Sequence, residues 1–282
     1  MMRFVLKSNI QITVVIPTLN IRSQFLYETI NSVIKQSYQP LEIIIVNNGN
    51  GELRIPDSAI PIKQLKIIYK AGVAQARNFG ACFAKGDYIA FLDDDDLWDL
   101  DYLKNIKKRI DQEHPDCLLA SIVQLLDGKI LPYKNVDNQL FKDILLVRNP
   151  GITGSSVVIK KKIFFEVGGY NPKLPPSEDK SLVLELLKNS FKIVVVPESK
   201  IVHRQHDRNN RLTSNKFLME GTYQFYRMYG AEMNFSQKIN NLHKIYKYIW
   251  LNKKSIVSSL IYFFFFACVL LQKLMKKLKI FL

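Results

Sequence analysis

Residues 76–98 read ARNFGACFAKGDYIAFLDDDDLW. Small side chains dominate its first part, which continues a helical pattern over 73–84, and 88–92 is a short apolar run typical of a buried strand. Four consecutive aspartates, Asp93 to Asp96, follow that run directly. The stretch therefore predicts a helix and then a buried strand whose C-terminal end carries four carboxylates.

The chain before this stretch repeats the same alternation of strand and helix. ITVVI (12–16) and IIIV (43–46) are apolar runs rich in β-branched residues, and a helix pattern with one apolar face lies between them at 26–34. A third strand is predicted at 65–69. Strands that alternate with helices at this spacing predict an α/β fold, a mostly parallel sheet flanked by helices.

Polar segments follow three of these strands. They are TLN (18–20), NNG (47–49) and the aspartates at 93–96. In open parallel sheets, ligands bind beyond the carboxyl ends of the strands. We therefore expect the three segments to gather at one edge of the sheet and to form the ligand site.

The second half of the chain is less regular. Strands are predicted at 155–160 and 192–196, and a helix at 181–188 with the acidic pair Glu178 and Asp179 just before it. Residues after about 213 are helical, aromatic and basic.

The four aspartates require a physical explanation. Two unit charges about 5 Å apart repel by roughly 3 kcal/mol at an effective dielectric constant near 20, so the loop must be fully solvated or hold a cation. Oxygen ligands favour Mg²⁺ or Mn²⁺, and an incomplete protein ligand set suits a metal that also binds substrate phosphates. The alternative is a solvated loop that caps a helix beginning near Trp98. The position after a strand, at the expected ligand edge, favours the metal.

Together, IPTLN (16–20), LEIIIVNNG (41–49) and the block at 76–98 resemble the family 2 glycosyltransferases, which have the Rossmann-like GT-A fold. The resemblance covers about residues 11–210 in the order and spacing of the family. It implies an inverting glycosyltransferase, of the hexosyl or N-acetylhexosaminyl type, that depends on Mn²⁺ or Mg²⁺.

The resemblance also assigns the donor site. Asp93 and Asp95 match the metal-binding DxD motif, with Asp95 as the direct ligand, and Asp94 would face the ribose. The nucleotide-contacting loop would contain three residues: Pro17, Thr18 and Asn20. Arg77 would reach the base or the phosphates, although an ion pair on the helix surface is the alternative.

The resemblance leaves the nucleotide base open, because this chain has Asn47-Asn48 where the family usually has Asp-Asp or Asp-Asn. Asn48 matches the position that accepts a hydrogen bond from uracil. An amide both donates and accepts, so uracil pairing remains possible. Uridine is the first expectation, with thymidine or guanosine behind it.

Glu178 and Asp179 resemble the ED motif of the family, in which the aspartate is the general base of an in-line displacement. General-base catalysis contributes roughly 10²–10⁴-fold. The alternative is that both acids simply favour a helix N-terminus. His206, rather than His203, resembles a histidine that touches the metal or the diphosphate.

The composition restricts the remaining possibilities. The three cysteines form no CxxC pair, which argues against a disulfide framework or a thiolate zinc site. The net charge is +15, and no acidic residue follows Glu232. In the tail, 255–271 is uncharged and about 26 Å long as a helix, slightly short of a bilayer core. Lysines flank it.

We therefore divide the chain into a GT-A domain at 1–213, a helical extension at 214–250 and an apolar, basic tail at 251–282. Residues 255–279 are expected to bind the cytoplasmic face of a bacterial inner membrane as a shallow or re-entrant anchor. A helix buried in a dimer interface is the alternative.

The predicted function is transfer of one sugar, preferably from a UDP-sugar, to a glycan or lipid-linked glycan in synthesis of a cell-surface polysaccharide such as lipopolysaccharide. No nucleic-acid partner is expected. One rival, a sugar nucleotidyltransferase, would need a Gly-rich phosphate loop near the N-terminus, which is missing. The other rival is a non-catalytic basic protein that binds membranes or nucleic acid. It does not explain why the chain carries the four aspartates and the ED pair.

Overall fold

The computed structural model describes residues 10–19, 24–53, 55–69, 71–126, 129–132, 142–204, 215–253 and 255–278. Asn20 and His206 lie outside these residues, so their predicted roles stay predictions. The chain divides into two compact units. One comprises Met1–Leu140, Pro150–Tyr170 and Glu185–His206, and the other comprises Phe141–Asn149, Asn171–Leu184 and Asp207–Leu282.

The strands in chain order are β1 (Ile12–Thr18), β2 (Glu42–Asn47), β3 (Ile62–Lys66), β4 (Tyr88–Phe91), β5 (Leu97–Trp98), β6 (Cys117–Leu126), β7 (Lys129–Pro132), β8 (Val157–Lys160) and β9 (Ile193–Arg204). The helices are α1 (Gln24–Ile34), α2 (Val73–Phe83), α3 (Tyr102–Glu113), α4 (Lys142–Val147), α5 (Lys161–Glu166), α6 (Glu178–Lys188), α7 (Asn215–Tyr229), α8 (Phe235–Lys253) and α9 (Ile256–Leu278).

The first unit contains a sheet with the strand order β3-β2-β1-β4-β8-β6-β9-β5, and β7 pairs with β6. The pairs β1–β2, β1–β4 and β2–β3 are parallel, as the first half of the sequence predicts. The later strands mix directions: β8 is antiparallel to β4 and β6, whereas β6 and β9 are parallel. The predicted α/β fold is confirmed, with the second half supplying the antiparallel pairs.

The core explains why the central strands read as uninterrupted apolar runs. Every residue of β1, β2 and β4 is buried, which is typical of central parallel strands whose sheet is covered on both faces. Leu26, Ile30 and Val33 form the buried face of α1, as predicted. The small residues of α2 allow close packing, since a Cβ at Gly80 would lie 2.5 Å from Cγ1 of Val15.

Two local predictions are wrong. The third strand lies at Ile62–Lys66 rather than 65–69, because its partner β2 ends at Asn47, which pairs with Lys66. The helix expected near Trp98 begins at Tyr102. Trp98 instead belongs to the short strand β5, where it pairs with Ile201 and stacks on Tyr102 with ring centroids 4.2 Å apart.

In the second unit, α8 and α9 pack against each other through aromatic rings. Trp250 stacks on Tyr262 at 5.1 Å, and Tyr246 stacks on Phe265 at 5.3 Å. The predicted helical tail is confirmed, since α9 continues from Ile256 to Leu278. Its stretch Ile256–Met275 is long and apolar enough to cross a membrane by length and composition.

Candidate functional site

The acidic loop follows β4 directly and lies at the carboxyl end of the parallel strands. The backbone N–H of Asp96 donates to the carbonyl of Asp93 at 3.2 Å, which closes a tight turn. Asp93, Asp94 and Asp95 are half-buried, whereas Asp96 is only 3% exposed. The four carboxylates therefore lie in different environments, and the loop is not uniformly solvated.

Asp96 is held by partners from three other elements. The Ser155 hydroxyl donates to its Oδ2 at 2.6 Å, and Nδ1 of His203 lies 2.9 Å from its Oδ1. The Thr29 hydroxyl donates to the backbone carbonyl of Asp96 at 2.8 Å. Burial raises the pKa of Asp96, while the hydrogen bond and positive charge of His203 act in the opposite direction. These contacts hold Asp96 in place, and Asp96 thus anchors the acidic loop.

Arg77 of α2 forms an ion pair with the acidic loop. Its Nη2 lies 2.6 Å from Oδ1 of Asp93, and the exposed fractions of the two side chains are 3% and 29%. The guanidinium also lies 5.1 Å from the ring centroid of Tyr170. A Cβ at Gly154 would lie 2.0 Å from Nη2 of Arg77, so a larger residue at this position would displace the guanidinium. Arg77 therefore does form an ion pair, as the alternative proposes, but its side chain is buried and does not lie on the helix surface.

Thr18, at the end of β1, reaches the same loop. Its hydroxyl donates to Oδ2 of Asp94 at 2.6 Å. Pro17 is buried inside β1, opposite Val46 of β2. Adjacent parallel strands β1 and β4 therefore bring together two of the predicted donor-site residues, Thr18 and Asp94, as expected from their positions after strands.

Asn48 links the end of β2 to the loop before α2. Its backbone N–H donates to the carbonyl of Thr18 at 2.8 Å, and its side-chain Nδ2 donates to the carbonyl of Ala71 at 2.5 Å. An amide carries two donor hydrogens and two acceptor lone pairs, so Asn48 keeps capacity for a further partner. The three polar segments thus gather at one edge of the sheet.

Glu178 and Asp179 belong to the second unit and occupy the first turn of α6. Glu178 is 3% exposed, and Asp179 is half-buried. A helix N-terminus favours both negative charges. The more accessible carboxylate is therefore that of Asp179, the residue predicted to act as the base.

The residues of the acidic loop fit a divalent ion only as a partial ligand set. Among the residues that the structure describes, no group of three or more His, Cys, Asp or Glu side chains is arranged to hold a metal. The contact with Arg77 uses Oδ1 of Asp93, which leaves Oδ2 for a cation. Carboxylate oxygens suit Mg²⁺ or Mn²⁺, which commonly bind one or two carboxylates together with substrate phosphates.

Sequence reasoning did not connect Ser155, His203 or Thr29 with the acidic loop. Their contacts with Asp96 span 59, 107 and 67 positions in the chain. His203 lies three positions before His206, the histidine expected to touch the metal or the diphosphate. This proximity is the one feature of the sequence that points to His203.

Comparison with known proteins gives a family match. The sequence profile described as "Glycosyl transferase family 2" matches residues 13–167. A protein of Rickettsia felis named "Uncharacterized glycosyltransferase" is 28% identical over 191 residues, which cover 63% of this chain and 31% of that protein. The chain thus spans about a third of the length of the first curated relatives it matches.

A second relative and a solved structure extend the comparison. The glucosyl-dolichyl phosphate glucuronosyltransferase of Haloferax volcanii is 25% identical over 217 residues, 71% of this chain and 68% of that protein. The crystal structure of S. aureus TarS 1–349 in complex with UDP-GlcNAc superposes with a TM-score of 0.61 and 16% identity, covering 90% of this chain and 78% of the TarS 1–349 chain. At that identity, the likeness establishes the fold alone.

Proposed function

Because this chain belongs to glycosyltransferase family 2, we propose that it is an inverting, metal-dependent transferase that moves one sugar from a nucleoside diphosphate to an acceptor hydroxyl. The single observation that carries this proposal is the junction of β1, α2 and β4. There, Thr18 holds Asp94 and the buried Arg77 holds Asp93. A buried guanidinium beside half-buried carboxylates suits a diphosphate and its counter-ion.

Two observations support a UDP-sugar as the donor. TarS, which has a similar fold, was crystallised with UDP-GlcNAc. In this chain, Asn48 keeps donor and acceptor capacity at the edge of the sheet where a uracil ring would pair. A hexose or an N-acetylhexosamine is the proposed sugar.

The residues of the donor site would have separate roles. Asp95 and Asp93, with His206, would hold Mn²⁺ or Mg²⁺, which when bound neutralises charge on the leaving diphosphate. Arg77 would add a fixed positive charge that costs no reorganisation during the reaction. Its burial and its contacts with Asp93 and Tyr170 keep the guanidinium in place.

Asp179 would act as the general base. The acceptor oxygen attacks the anomeric carbon and loses its proton to the Asp179 carboxylate as the new C–O bond forms. The bond from the anomeric carbon to the diphosphate oxygen breaks in the same step, and the nucleoside diphosphate leaves. One such displacement inverts the anomeric configuration.

A membrane surface is proposed as the place of the reaction, because one face of α9 is apolar and exposed. Six residues on this face illustrate it: Ile256, Leu260, Phe263, Phe264, Leu271 and Leu274. Apolar patches of this length on a protein surface mark a partner or a membrane. The opposite, aromatic face of α9 is already packed on α8.

Charge favours a bilayer over a second copy of the chain. No acidic residue follows Glu232, and lysines such as Lys247 and Lys273 are exposed on α8 and α9. Two copies that associate through α9 would bring two strongly basic tails together, whereas anionic headgroups would neutralise them. We place the protein at the cytoplasmic face of a bacterial inner membrane.

The acceptor is proposed to be a glycan or a lipid-linked glycan of a cell-surface polysaccharide. A lipid-linked acceptor agrees with the exposed face of α9 and with the name of the Haloferax relative, which is a glucosyl-dolichyl phosphate glucuronosyltransferase.

The decisive experiment is calorimetric titration with UDP, GDP, dTDP and CMP, with and without Mn²⁺. Wild type is compared with Asp95→Ala and with Asp111→Ala, an exposed carboxylate of α3 that serves as the control. Metal-dependent binding of one nucleoside diphosphate that only Asp95→Ala abolishes would support the proposal and identify the base. If no nucleotide binds with the metal present, the acidic loop is not a donor site.

A further inference from the structure

One face of α7 packs against the segment that carries Glu178 and Asp179. Gly221, Phe225 and Tyr229 follow each other at intervals of four residues, so they share one side of the helix. All three are buried. Each of them contacts a residue between positions 175 and 181, and all of these residues belong to the second unit.

The closest of these contacts is made by a glycine. A Cβ at Gly221 would lie 2.4 Å from Cδ of Pro176 and 2.5 Å from the carbonyl oxygen of Pro175. Neither a proline ring nor a backbone carbonyl moves aside easily, and real Cβ atoms do not approach so closely. Gly221 therefore lets α7 lie directly against the chain that enters α6.

The other two contacts hold the first turn of α6 itself. Nζ of Lys180 lies 3.2 Å from the ring centroid of Phe225. The hydroxyls of Tyr229 and Ser181 are 2.7 Å apart in a buried hydrogen bond. Burial lowers the pKa of Lys180 well below its usual value. Contacts with α7 thus hold the side chains of Lys180 and Ser181 in place.

The contacts leave Asp179 in a defined position. Its neighbours on both sides, Glu178 and Lys180, are buried, whereas Asp179 itself is half-buried. Because adjacent residues of a helix point about 100° apart, fixing the backbone at its buried neighbours also fixes the direction of the Cα–Cβ bond of Asp179.

We propose that Gly221, Phe225 and Tyr229 are positioning residues that hold Asp179 for catalysis. This inference rests on the proposed function, in which Asp179 is the general base. A displacement of about 1 Å at a reacting group can cost on the order of 10²-fold in rate. Substitutions on this face of α7 should therefore lower kcat while donor binding is unchanged.

The test measures UDP release with Mn²⁺ from the nucleotide sugar that wild type hydrolyses fastest, among UDP-GlcNAc, UDP-glucose and UDP-galactose. Water takes the place of the acceptor hydroxyl and gives its proton to Asp179. The variants are Gly221→Ala, Tyr229→Phe and Asp179→Asn. Gly230→Ala is the matched control, because its Cβ would meet nothing closer than 3.7 Å, at the ring of Tyr226.

We expect kcat to fall at least tenfold in Gly221→Ala and severalfold in Tyr229→Phe, with KM for the donor within twofold of wild type and Gly230→Ala unchanged. Tyr229→Phe removes only a hydroxyl, so it decides the question if Gly221→Ala does not fold. Wild-type kcat in both α7 variants, with Asp179→Asn inactive, would overturn the positioning role alone. Full activity of Asp179→Asn would overturn the assignment of the base, and no hydrolysis of any donor by wild type would count against the proposed function itself.

Discussion

Nδ1 of His203 lies 2.9 Å from Oδ1 of Asp96, although 107 positions separate the two residues in the chain. The contact joins the end of β9 to the loop after β4. The Ser155 hydroxyl donates to Oδ2, the other oxygen of the Asp96 carboxylate. The acidic loop therefore contains one carboxylate that is buried, Asp96, and three that are half-buried.

This division predicts different effects for neighbouring substitutions. Asp96→Asn should lower the free energy of unfolding by about 1–3 kcal/mol, because an amide has one acceptor oxygen and leaves a buried partner unsatisfied. Asp95→Asn, at a half-buried position, should change it by less than about 0.5 kcal/mol. Guanidinium unfolding without metal measures both, and equal stabilities would show that Asp96 is not an anchor.

A second prediction concerns the pocket for the Arg77 guanidinium. Gly154→Ala should displace the guanidinium from Asp93 and weaken UDP binding about tenfold or more, as Arg77→Gln should, since charged hydrogen bonds contribute about 1.5–3 kcal/mol. The double variant should be no weaker than Arg77→Gln alone. Gly72→Ala is the control, because its Cβ would meet only the flexible end of Gln75 at 3.7 Å. Calorimetry in Mn²⁺ gives the comparison, and UDP affinity in Gly154→Ala equal to wild type would contradict it.

The third prediction concerns stability at alkaline pH. Burial lowers the pKa of Lys244 to about 8, with Arg148 acting in the same direction. Between that pH and the usual lysine pKa of about 10.4, the unfolded chain holds a proton that the folded chain has lost, so wild-type stability rises with pH. Relative to Lys244→Met, the gain is up to about 3 kcal/mol at 1.36 kcal/mol per pKa unit.

Denaturant unfolding from pH 7 to 10, in the absence of lipid, measures this difference. Lys247→Met removes an exposed charge from the same helix and serves as the control. A stability difference between wild type and Lys244→Met that stays constant across this range would contradict the prediction.

The fourth prediction concerns the exposed face of α9. The double variant Phe263→Ser, Phe264→Ser should bind vesicles of anionic lipid at least tenfold more weakly, since burying each phenylalanine contributes about 1.5–3 kcal/mol. Ile68→Ser, at a residue of the first unit that is 93% exposed, should bind like wild type. Co-sedimentation gives the affinities. A wild type that dimerises through α9 and ignores vesicles would favour the dimer interface instead.

Local sequence patterns were sufficient for the first half of the sheet. Strands β1, β2 and β4 consist of buried apolar residues, and α1 and α2 show their buried faces at helical spacing, so each element is visible within its own window. The polar tips at Thr18, Asn48 and Asp94 could be placed together because parallel strands align their carboxyl ends.

Long-range pairing explains the failures. The end of β3 depends on where its parallel partner β2 ends, and β5 is defined by the pairing of Trp98 with Ile201 far along the chain. The different environments of four identical side chains, Asp93 to Asp96, also come from partners that no local pattern reveals. The roles of Asp95, Asp179, Asn20 and His206 stay predictions, as does the division of the chain at 213 and 250.

The two compact units are interleaved along the chain rather than joined end to end, since Phe141–Asn149 and Asn171–Leu184 belong to the same unit as α7, α8 and α9. A stop codon introduced after residue 206 would therefore leave the first unit joined to two isolated segments of the second. It would leave α4 without the amide of Asn241, which caps the carbonyl of Leu146, and the start of α6 without Gly221 and Tyr229. A chimaera that exchanges the whole second unit with that of a relative accordingly needs five matched crossover points, one at each boundary between the units.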